Sequence, residues 1–408
     1  MRSGLAGVAQ VLTCMIVWSV LPALASGSNT EQEVEPGIFY RNDRFPEVPW
    51  SIHVVKVDRT HPEFDFVTTK AKDTVVGLST LTDQIRLIPP TLGTPKVAIN
   101  GDFYRTEREH YPGDPRGLLI VRDELVSAPI DRACLWFDRQ GNPQIGNVIS
   151  HFQVTWPNGE TIPIGLNEEA TANTSVLFTP RLGEATGTTN RIDLILERQG
   201  NSPWLPLQAG DEYTARVRDI KFRGNALLAT NTMVLSVSTQ VMTRLPKIDP
   251  GAVLKISTRS IPDLKGVRTA IGGGPALLRG GKIVPVKRSE RAGAASLYAE
   301  RALFERHPRS AVAWNENYFF FIEVDGRQNK LSAGMTLAEL SDYMLKLGCT
   351  DALNLDGGGS STIWLNGKVM NSPCFGYLRN MATTLVMVRK EKPFTQPSPQ
   401  AVEGVGSQ

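Results

Sequence analysis

The chain has 408 residues, of which 41% are hydrophobic and 21% charged, a composition typical of a globular protein with one large core or two smaller ones. Lys and Arg number 44 against 41 Asp and Glu, so the formal net charge is +3, and no polybasic arm is visible. This balance argues against nucleic acid as a partner.

The N-terminus has a pattern of its own. Arg2 precedes an apolar run that ends in the small-residue sequence Ala23-Leu24-Ala25, before Ser26. This order predicts a signal peptide, residues 1–25, that is cleaved after Ala25. A membrane span would need about 20 apolar residues, and Pro22 interrupts the run. We therefore expect a secreted or periplasmic protein without a stable membrane span.

Cleavage would leave three cysteines, Cys134, Cys349 and Cys374. In an oxidising compartment one pair and one leftover thiol is the natural count. Cys349 and Cys374 flank a glycine-rich segment, so a disulfide between them that staples this loop is our hypothesis.

Strand patterns dominate most of the chain. A segment with alternating apolar residues at 51–57 is followed by short apolar runs bounded by Gly, Pro and Asp, at 97–99, 118–121 and 134–137. Further runs at 175–178 and 192–196 lie in a region of about 150–268 that reads as a β-rich elaboration. We expect an N-terminal β segment, 26–95, to pack on a main domain, 96–390. The Pro- and Gly-containing tail, 391–408, is predicted to be disordered.

The sequence clearly predicts one helix. Thr336 and Glu339 form a capping box, Met335 and Leu340 are placed as a hydrophobic staple, and Gly348 ends the pattern. The overall prediction is an α+β fold, with a curved, mostly antiparallel mixed sheet flanked by a few helices.

Two predicted strands end on an acid followed by glycine. The strand at 318–324 runs into Asp325-Gly326-Arg327, and the strand at 352–355 runs into Asp356. Asp-Gly is commonly only a turn. The glycines after Asp356 exceed what a turn needs, however, and can bring amide groups close to an anion such as phosphate. The residues concerned are Gly357, Gly358, Gly359, Ser360 and Ser361.

Arginines supply a second anion-binding group in the same third of the chain. A guanidinium can bind phosphate through two charge-assisted hydrogen bonds, each contributing about 1.5–3 kcal/mol when desolvated. The candidates are Arg306, Arg309, Arg327 and Arg379. Arg309 and Arg327 are favoured because they lie beside predicted strands.

Other chemistries have little support. The five histidines show no zinc-binding spacing, the cysteines have no histidine partner nearby in sequence, and neither a nucleophile elbow nor a nucleotide P-loop is present. No cofactor is required by the pattern. Calcium bound by oxygens of Asp325, Asp356 or Asn354 remains an alternative, since this ion needs only carboxylates and carbonyls.

A family resemblance rests on six segments in order. They are Asn100-Gly101-Asp102-Phe103-Tyr104, Gly272-Gly273-Gly274-Pro275, Arg306-His307-Pro308-Arg309-Ser310-Ala311, Val324-Asp325-Gly326-Arg327, Ser332-Ala333-Gly334-Met335-Thr336-Leu337 and Asn354-Leu355-Asp356-Gly357-Gly358-Gly359-Ser360-Ser361. Together they resemble the phosphodiester glycosidase family, from about Val97 to Val388. The first segment departs from the family's more frequent Asn-Gly-Gly-Phe-Phe, which puts a role for Asp102 in doubt.

The resemblance implies an exported hydrolase that cuts the anomeric C–O bond of a sugar-1-phosphodiester. N-acetylglucosamine-1-phosphodiester and a cell-envelope or exopolysaccharide glycan are the substrates it suggests. Asp356 and Asp325 are the expected catalytic carboxylates, with Glu323 in reserve. The expected substrate-binding residues are Asn100, Asp102, Arg309, Arg327, Asn354, Gly357, Gly358, Gly359, Ser360, Ser361 and Arg379.

Two other functions stay open at this point. A non-catalytic module could bind a carbohydrate or phosphoglycan, and a metal-dependent phosphodiesterase could cleave the P–O bond instead. The sequence leaves the sugar, the aglycone and the oligomeric state undetermined.

Overall fold

The computed structural model describes residues 30–286 and 300–391. The predicted signal peptide and all but the first residue of the predicted tail lie outside these ranges. Within them, no helix combines the length and the apolar composition needed to cross a bilayer.

The described residues form twenty-five strands. In chain order they are β1 (Gln32–Glu35), β2 (Ile38–Phe45), β3 (Trp50–Asp58), β4 (Phe64–Lys70), β5 (Thr94–Asn100), β6 (Leu119–Val121), β7 (Glu124–Ser127), β8 (Arg132–Phe137), β9 (Pro143–Thr155), β10 (Thr161–Pro163), β11 (Gly165–Leu166), β12 (Ser175–Phe178), β13 (Arg191–Arg198), β14 (Glu212–Phe222), β15 (Met233–Ser238), β16 (Val253–Ile261), β17 (Ala270–Gly272), β18 (Ala276–Arg279), β19 (Lys282–Ile283), β20 (Arg309–Trp314), β21 (Tyr318–Val324), β22 (Asp351–Asn354), β23 (Ile363–Leu365), β24 (Lys368–Val369) and β25 (Thr383–Arg389).

Helices are few and short. They are α1 (Leu81–Arg86), α2 (Thr239–Met242), α3 (Glu300–Phe304) and α4 (Leu337–Lys346), with 3₁₀ turns at Ala71–Asp73, Pro90–Leu92 and Gly358–Ser360. The predicted α+β class is therefore only partly correct, because the described fold is mostly β with four helices.

Three sheets make up the fold. The first sheet has the order β1-β2-β3-β21-β20-β22-β18-β19, and the third has the order β24-β23-β5-β25-β4. The second, largest sheet runs β11-β12-β15-β13-β14-β16-β9-β8-β17-β6-β7, with β10 paired to β9. All pairings are antiparallel except β11 with β12. The region expected to be a β-rich elaboration supplies most of the second sheet.

The main hydrophobic core lies where the three sheets meet. Phe319 and Phe321 of the first sheet pack with Phe66 of the third, and Phe66 stacks on Phe137 of the second at a ring-centroid distance of 4.5 Å. The alternating residues of β21 place these rings on one face of the strand. Each such ring contributes about 1.5–3 kcal/mol by its burial.

Helix α4 covers the other face of the first sheet. The capping box is present as predicted: the Glu339 amide donates to Thr336 Oγ1 at 3.1 Å, and the Thr336 amide donates to Glu339 Oε2 at 2.9 Å. Leu337, Leu340 and Met344 are buried against the sheet, in one cluster with Ala311 and Ala313 of β20 and Ala352 of β22.

The predicted disulfide is absent. Cys134, Cys349 and Cys374 are all free thiols. Cys349 is buried in the core under α4, whereas Cys374 follows β24 and is only half-buried. Chain proximity to the glycine-rich loop therefore does not bring the two sulfurs together.

Candidate active site

The ends of three neighbouring strands meet at one edge of the first sheet. Arg309 at the start of β20 pairs with Val324 at the end of β21, and Ala311 pairs with Asn354 at the end of β22. Asp325 and Asp356 follow β21 and β22, so the sequence motifs that contain them lie at the same edge. Their side chains, however, enter different surroundings.

Asn100 ties this edge to the third sheet. Its Nδ2 donates to the Asp356 carbonyl at 2.6 Å, while its Oδ1 accepts from Ser310 Oγ at 2.6 Å and from the Thr362 amide at 3.1 Å. The side chain is 1% exposed. Asn100, which was expected to bind the substrate, therefore contacts the backbone of Asp356.

Asp356 is the half-buried acid at this edge of the sheet. Its Oδ1 accepts from the Gly357 amide at 2.9 Å, and the Ser360 hydroxyl also hydrogen-bonds to it. Burial, and to a smaller extent the charge of Asp102, raise the pKa of Asp356 to about 6, against the opposing effects of Ser360, Arg379 and the Gly357 amide. A half-buried carboxyl with such a pKa can take up and release a proton near neutral pH.

Asp102 is a second acid in the same region. It is 2% exposed, its Oδ1 accepts from the Phe103 amide at 2.8 Å, and its Oδ2 has no hydrogen-bond partner among the described residues. Burial raises its pKa to about 6, with Arg132 opposing the shift. A Cβ on Gly272 would lie 2.1 Å from Oδ2, so the glycine makes room for this carboxylate.

The glycine run after Asp356 is required by its neighbours. A Cβ would lie 2.8 Å from the Pro308 carbonyl oxygen at Gly357, 3.1 Å from Arg327 Nη2 at Gly358, and 2.2 Å from Phe375 Cε2 at Gly359. Gly358 also has a positive φ of 61°. The run thus passes between a guanidinium and an aromatic ring that press closely against it.

The amide groups of this loop are largely engaged within the protein. Gly357 donates to Asp356 Oδ1, Gly358 to the Pro308 carbonyl, Ser360 to the Gly357 carbonyl and Ser361 to the Gly358 carbonyl. The loop therefore presents side chains to a ligand, and not the open nest of amides that the glycines suggested. Ser361 Oγ is buried and has no partner among the described residues.

Two arginines lie next to the loop. Arg379 is half-buried, its Nη2 lies 3.7 Å from Glu107 Oε2, and its guanidinium lies 5.5 Å from the centre of the Tyr104 ring. Its charge acts on Asp356. Arg327 is exposed, and its Nη2 is 3.3 Å from His307 Nδ1. Arg327 thus lies beside Gly358, and Arg379 is close enough to Asp356 to lower its pKa.

Arg309 is used differently from the expectation. It is 5% exposed, and its guanidinium donates to the Met335 and Glu305 carbonyls at 2.8 Å each. Burial, followed by the charge of Arg327, lowers its pKa to about 10. Its hydrogen bonds connect Met335, before α4, to Glu305, after α3, whereas Arg327 and Arg379 remain beside the loop.

Asp325 and Asn354 are also enclosed. Asp325 is 1% exposed and accepts from the Ser372 amide and Ser51 Oγ, and its Oδ2 lies 3.1 Å from His53 Nε2. Asn354 donates to the Gly274 carbonyl at 2.9 Å, and its Oδ1 has no partner among the described residues. Asp325 consequently has no side open to a substrate.

Asp325 belongs to a candidate metal centre. Among the described residues, His53, Glu323 and Asp325 form a buried group whose ligand atoms lie within 4.8 Å of one another. Sequence reasoning noted Asp325 and Glu323 but missed His53. The sequence feature that could have identified His53 is the alternation in β3, which places His53 and Ser51 on the same face of that strand.

An open cleft lies on the other side of Arg379. It has a volume of about 540 Å³ and is lined by Phe375, Tyr377, Arg379 and Asn380, among others. The rings of Phe375 and Tyr377 stack with a centroid distance of 5.9 Å and are 51% and 65% exposed. Sequence reasoning also missed this pair, although exposed aromatic rings beside a polar cleft commonly mark a binding surface.

Comparisons with known proteins support the resemblance seen in the sequence. The model of the phosphodiester glycosidase family matches residues 214–388. This range includes β20 to β23, Asp325, Asp356, Arg327 and Arg379, whereas Asn100 and Asp102 precede it.

Individual relatives share the fold or a short segment. A hypothetical protein from Synechocystis superposes with a TM-score of 0.69 at 19% identity, covering 88% of this chain and 63% of its own. A Burkholderia pseudomallei protein whose name describes it as exported superposes with a TM-score of 0.63 at 19% identity, covering 83% and 74%. The uncharacterized protein YomE of the SPbeta prophage in Bacillus subtilis is 36% identical over 83 residues, which are 20% of this chain and 13% of YomE. The chain thus spans under two thirds of the Synechocystis protein and a small part of YomE.

Proposed function

We propose, from the match of residues 214–388 to the phosphodiester glycosidase family, that this chain hydrolyses the anomeric C–O bond of a sugar-1-phosphodiester. One observation carries the assignment of the site. The half-buried Asp356 carboxyl, whose pKa is about 6, lies under the influence of Arg379 and beside Ser360 at the edge where two sheets meet.

The chemistry suits such a substrate. The group that leaves is a phosphate ester, which is already a stable anion, so breaking the anomeric C–O bond requires charge stabilisation more than proton donation. Arg379 and Arg327 would bind the phosphate oxygens and stabilise the charge that develops on the leaving oxygen. The electron pair of the broken bond would stay on that oxygen.

Asp356 would act on the sugar side of the bond. Its ionised carboxylate would either attack the anomeric carbon or take a proton from the water that attacks it. The buried Asp102 is the second carboxyl, and its negative charge favours the protonated form of Asp356. We assign Asp325 a positioning role, since its oxygens are occupied by Ser51, His53 and Ser372.

The cleft of Phe375 and Tyr377 would hold the part of the substrate beyond the phosphate. Its volume of about 540 Å³ is within the usual range of about 300–1,000 Å³ for small-molecule sites. Exposed flat rings next to Arg379 suit a sugar ring that follows a phosphate. This arrangement supports a glycan phosphodiester, such as a cell-envelope or exopolysaccharide segment, as the substrate class.

Export is part of the same proposal. The signal-peptide pattern of residues 1–25 supports it, and so does the name of the Burkholderia pseudomallei protein, which shares the fold. No cofactor takes part in the proposed reaction.

Turnover in ¹⁸O-labelled water tests the reaction. The full mature chain is incubated with methyl phosphodiesters of N-acetylglucosamine, glucose, galactose and mannose, each linked through the anomeric oxygen. We expect the label in the released sugar, because water attacks carbon. Label in the phosphate would identify a phosphodiesterase that cleaves P–O. Binding by calorimetry without turnover of any substrate would identify a carbohydrate-binding module. Either of these last two results would contradict the proposal.

A further inference from the structure

The buried group of His53, Glu323 and Asp325 connects two strands of the first sheet. In the antiparallel pairing of β21 with β3, His53 lies directly opposite Glu323. Asp325 follows Glu323 by two residues, so both acids project from the same face of the chain. His53 Nε2 and Asp325 Oδ2 are 3.1 Å apart, and the three residues are at most 4% exposed.

Each of the three side chains is oriented by a second group. Tyr40 OH lies 2.9 Å from His53 Nδ1, the Ser372 amide donates to Asp325 Oδ1 at 2.7 Å, and Asn371 Nδ2 donates to Glu323 Oε1 at 3.1 Å. The inner atoms are His53 Nε2, Asp325 Oδ2 and Glu323 Oε2. Of these, His53 Nε2 and Asp325 Oδ2 contact each other, and Asn42 Nδ2 lies 3.4 Å from His53 Nε2. Second groups of this kind commonly fix the ligands of protein metal sites.

One of the inner atoms is unsatisfied. Glu323 is 0% exposed, and its Oε2 has no hydrogen-bond partner among the described residues. Leaving a buried carboxylate oxygen without a partner is costly. The remaining inner atoms are bridged by the His53 to Asp325 contact and by Ser51 Oγ, which donates to Asp325 Oδ2 at 2.9 Å.

The charge of the group also needs compensation. Glu323 and Asp325 lie beside one imidazole, and among the described residues the hydrogen bonds and ion pairs of these two acids include no Lys or Arg. A divalent cation would neutralise two carboxylates and would bind the unsatisfied oxygen at the same time.

We propose that His53, Glu323 and Asp325 bind one divalent transition-metal ion that clamps β3 to β21. An imidazole with two carboxylates suits Zn²⁺, Mn²⁺ or Co²⁺, whereas Ca²⁺ prefers a shell of oxygens alone. Because all three ligands are buried, the ion is structural and does not reach the substrate. Ser51 Oγ is close enough to Asp325 to complete or support the shell.

The site would fasten the N-terminal part of the chain to the matched domain. His53 belongs to β3, outside the family match, while Glu323 and Asp325 lie within residues 214–388. Half-buried Tyr40 and Asn42 of β2 lie beside His53. This inference does not depend on the proposed glycosidase activity.

The test is metal content and metal-dependent stability of the full mature chain. The protein is unfolded in chelator, refolded with Zn²⁺, Mn²⁺ or Co²⁺ separately, dialysed, and analysed by mass spectrometry for metal. We expect about one ion per chain for at least one metal, with a Tm above that of the chelated protein because the ion binds the folded state. Co²⁺ should in addition give visible d–d absorption of a site with nitrogen and oxygen ligands.

Variants locate the ion. Glu323→Gln and His53→Gln should each reduce the bound metal at least about tenfold. Asp193→Asn, which alters an equally buried acid in the second sheet, should retain the wild-type content. The proposal is wrong if the wild-type protein binds less than about a tenth of an equivalent of every metal and its Tm is unchanged by chelator. In that case His53, Glu323 and Asp325 interact through hydrogen bonds alone. This wild-type measurement stands even if a variant fails to fold.

Discussion

At the scale of residues, the candidate site depends on how each carboxyl is surrounded. Asp325 and Asp356 both follow a buried strand and precede glycine, yet Asp325 is 1% exposed whereas Asp356 is half-buried. Ser51 and His53 on the neighbouring strand enclose Asp325. A local pattern cannot distinguish the two, because the difference arises from residues more than 270 positions away in sequence.

Asp102 provides a prediction about pH and stability. Its pKa is raised to about 6 from the usual 3.8, so the folded protein holds this proton more tightly than the unfolded chain. The stability that the group contributes is therefore complete below about pH 4 and is lost as pH rises through about 6, a change on the order of 2–3 kcal/mol.

Asp102→Asn should remove that pH dependence. Relative to wild type, the variant's unfolding free energy should improve by about 2 kcal/mol between pH 4.5 and pH 8, as measured by urea unfolding at both pH values. Asp342→Asn, at an exposed position of α4, is the control and should show no such change. An Asp102→Asn effect that is the same at both pH values would contradict this account.

At the scale of elements, the Asn100 side chain connects the first and third sheets. Three hydrogen bonds connect it to Asp356, Ser310 and Thr362. The hydrogen bond from Asn100 to the Asp356 carbonyl lies next to the glycine run. The position of the Asp356 carboxylate therefore depends on Asn100.

Asn100→Ala should weaken both the fold and catalysis. The loss leaves two buried groups, the Ser310 hydroxyl and the Thr362 amide, without their partner, and should cost about 2–4 kcal/mol of unfolding free energy. In the folded variant, kcat should fall more than KM rises, since the carboxylate is misplaced while the arginines and rings remain. Asn147→Ala, at an exposed position of β9, is the control and should change neither the unfolding free energy nor kcat. A stable variant with unaltered kcat would show that Asn100 does not position Asp356.

Much of the element structure was predictable because its signals are local. The strand at Tyr318–Val324 and the start of α4 after Thr336 were correctly placed by period and capping. The glycine run was correctly identified as special, but its cause was not, since the contacts with Pro308, Arg327 and Phe375 come from other segments. The disulfide prediction was wrong for the same reason: it used distance along the chain, and the strands carry Cys349 and Cys374 apart.

At the scale of the whole molecule, the site lies where sheets from distant parts of the chain meet. β3 and β21 pair across the first sheet, and β5, β25 and β23 bring Asn100 and Asp102 to the end of β22. Residues 214–388 alone would therefore lack Asn100, Asp102 and His53. Strands β1 to β4 of the N-terminal segment share sheets with strands from the rest of the chain, and sequence patterns cannot reveal this because they do not report strand order.

The central claim is that Asp356 performs chemistry at this junction. The direct measurement is kcat/KM of Asp356→Asn on the sugar phosphodiester that the wild-type protein turns over, with Tm recorded at the same pH of 7.5. We predict a loss of at least about 10³-fold with a Tm no lower than wild type, because the carboxylate is catalytic and its charge is unfavourable in the fold. Asp351→Asn, at the opposite end of β22, should retain wild-type activity. An Asp356→Asn protein that is folded and turns over substrate within a few-fold of wild type would contradict the account.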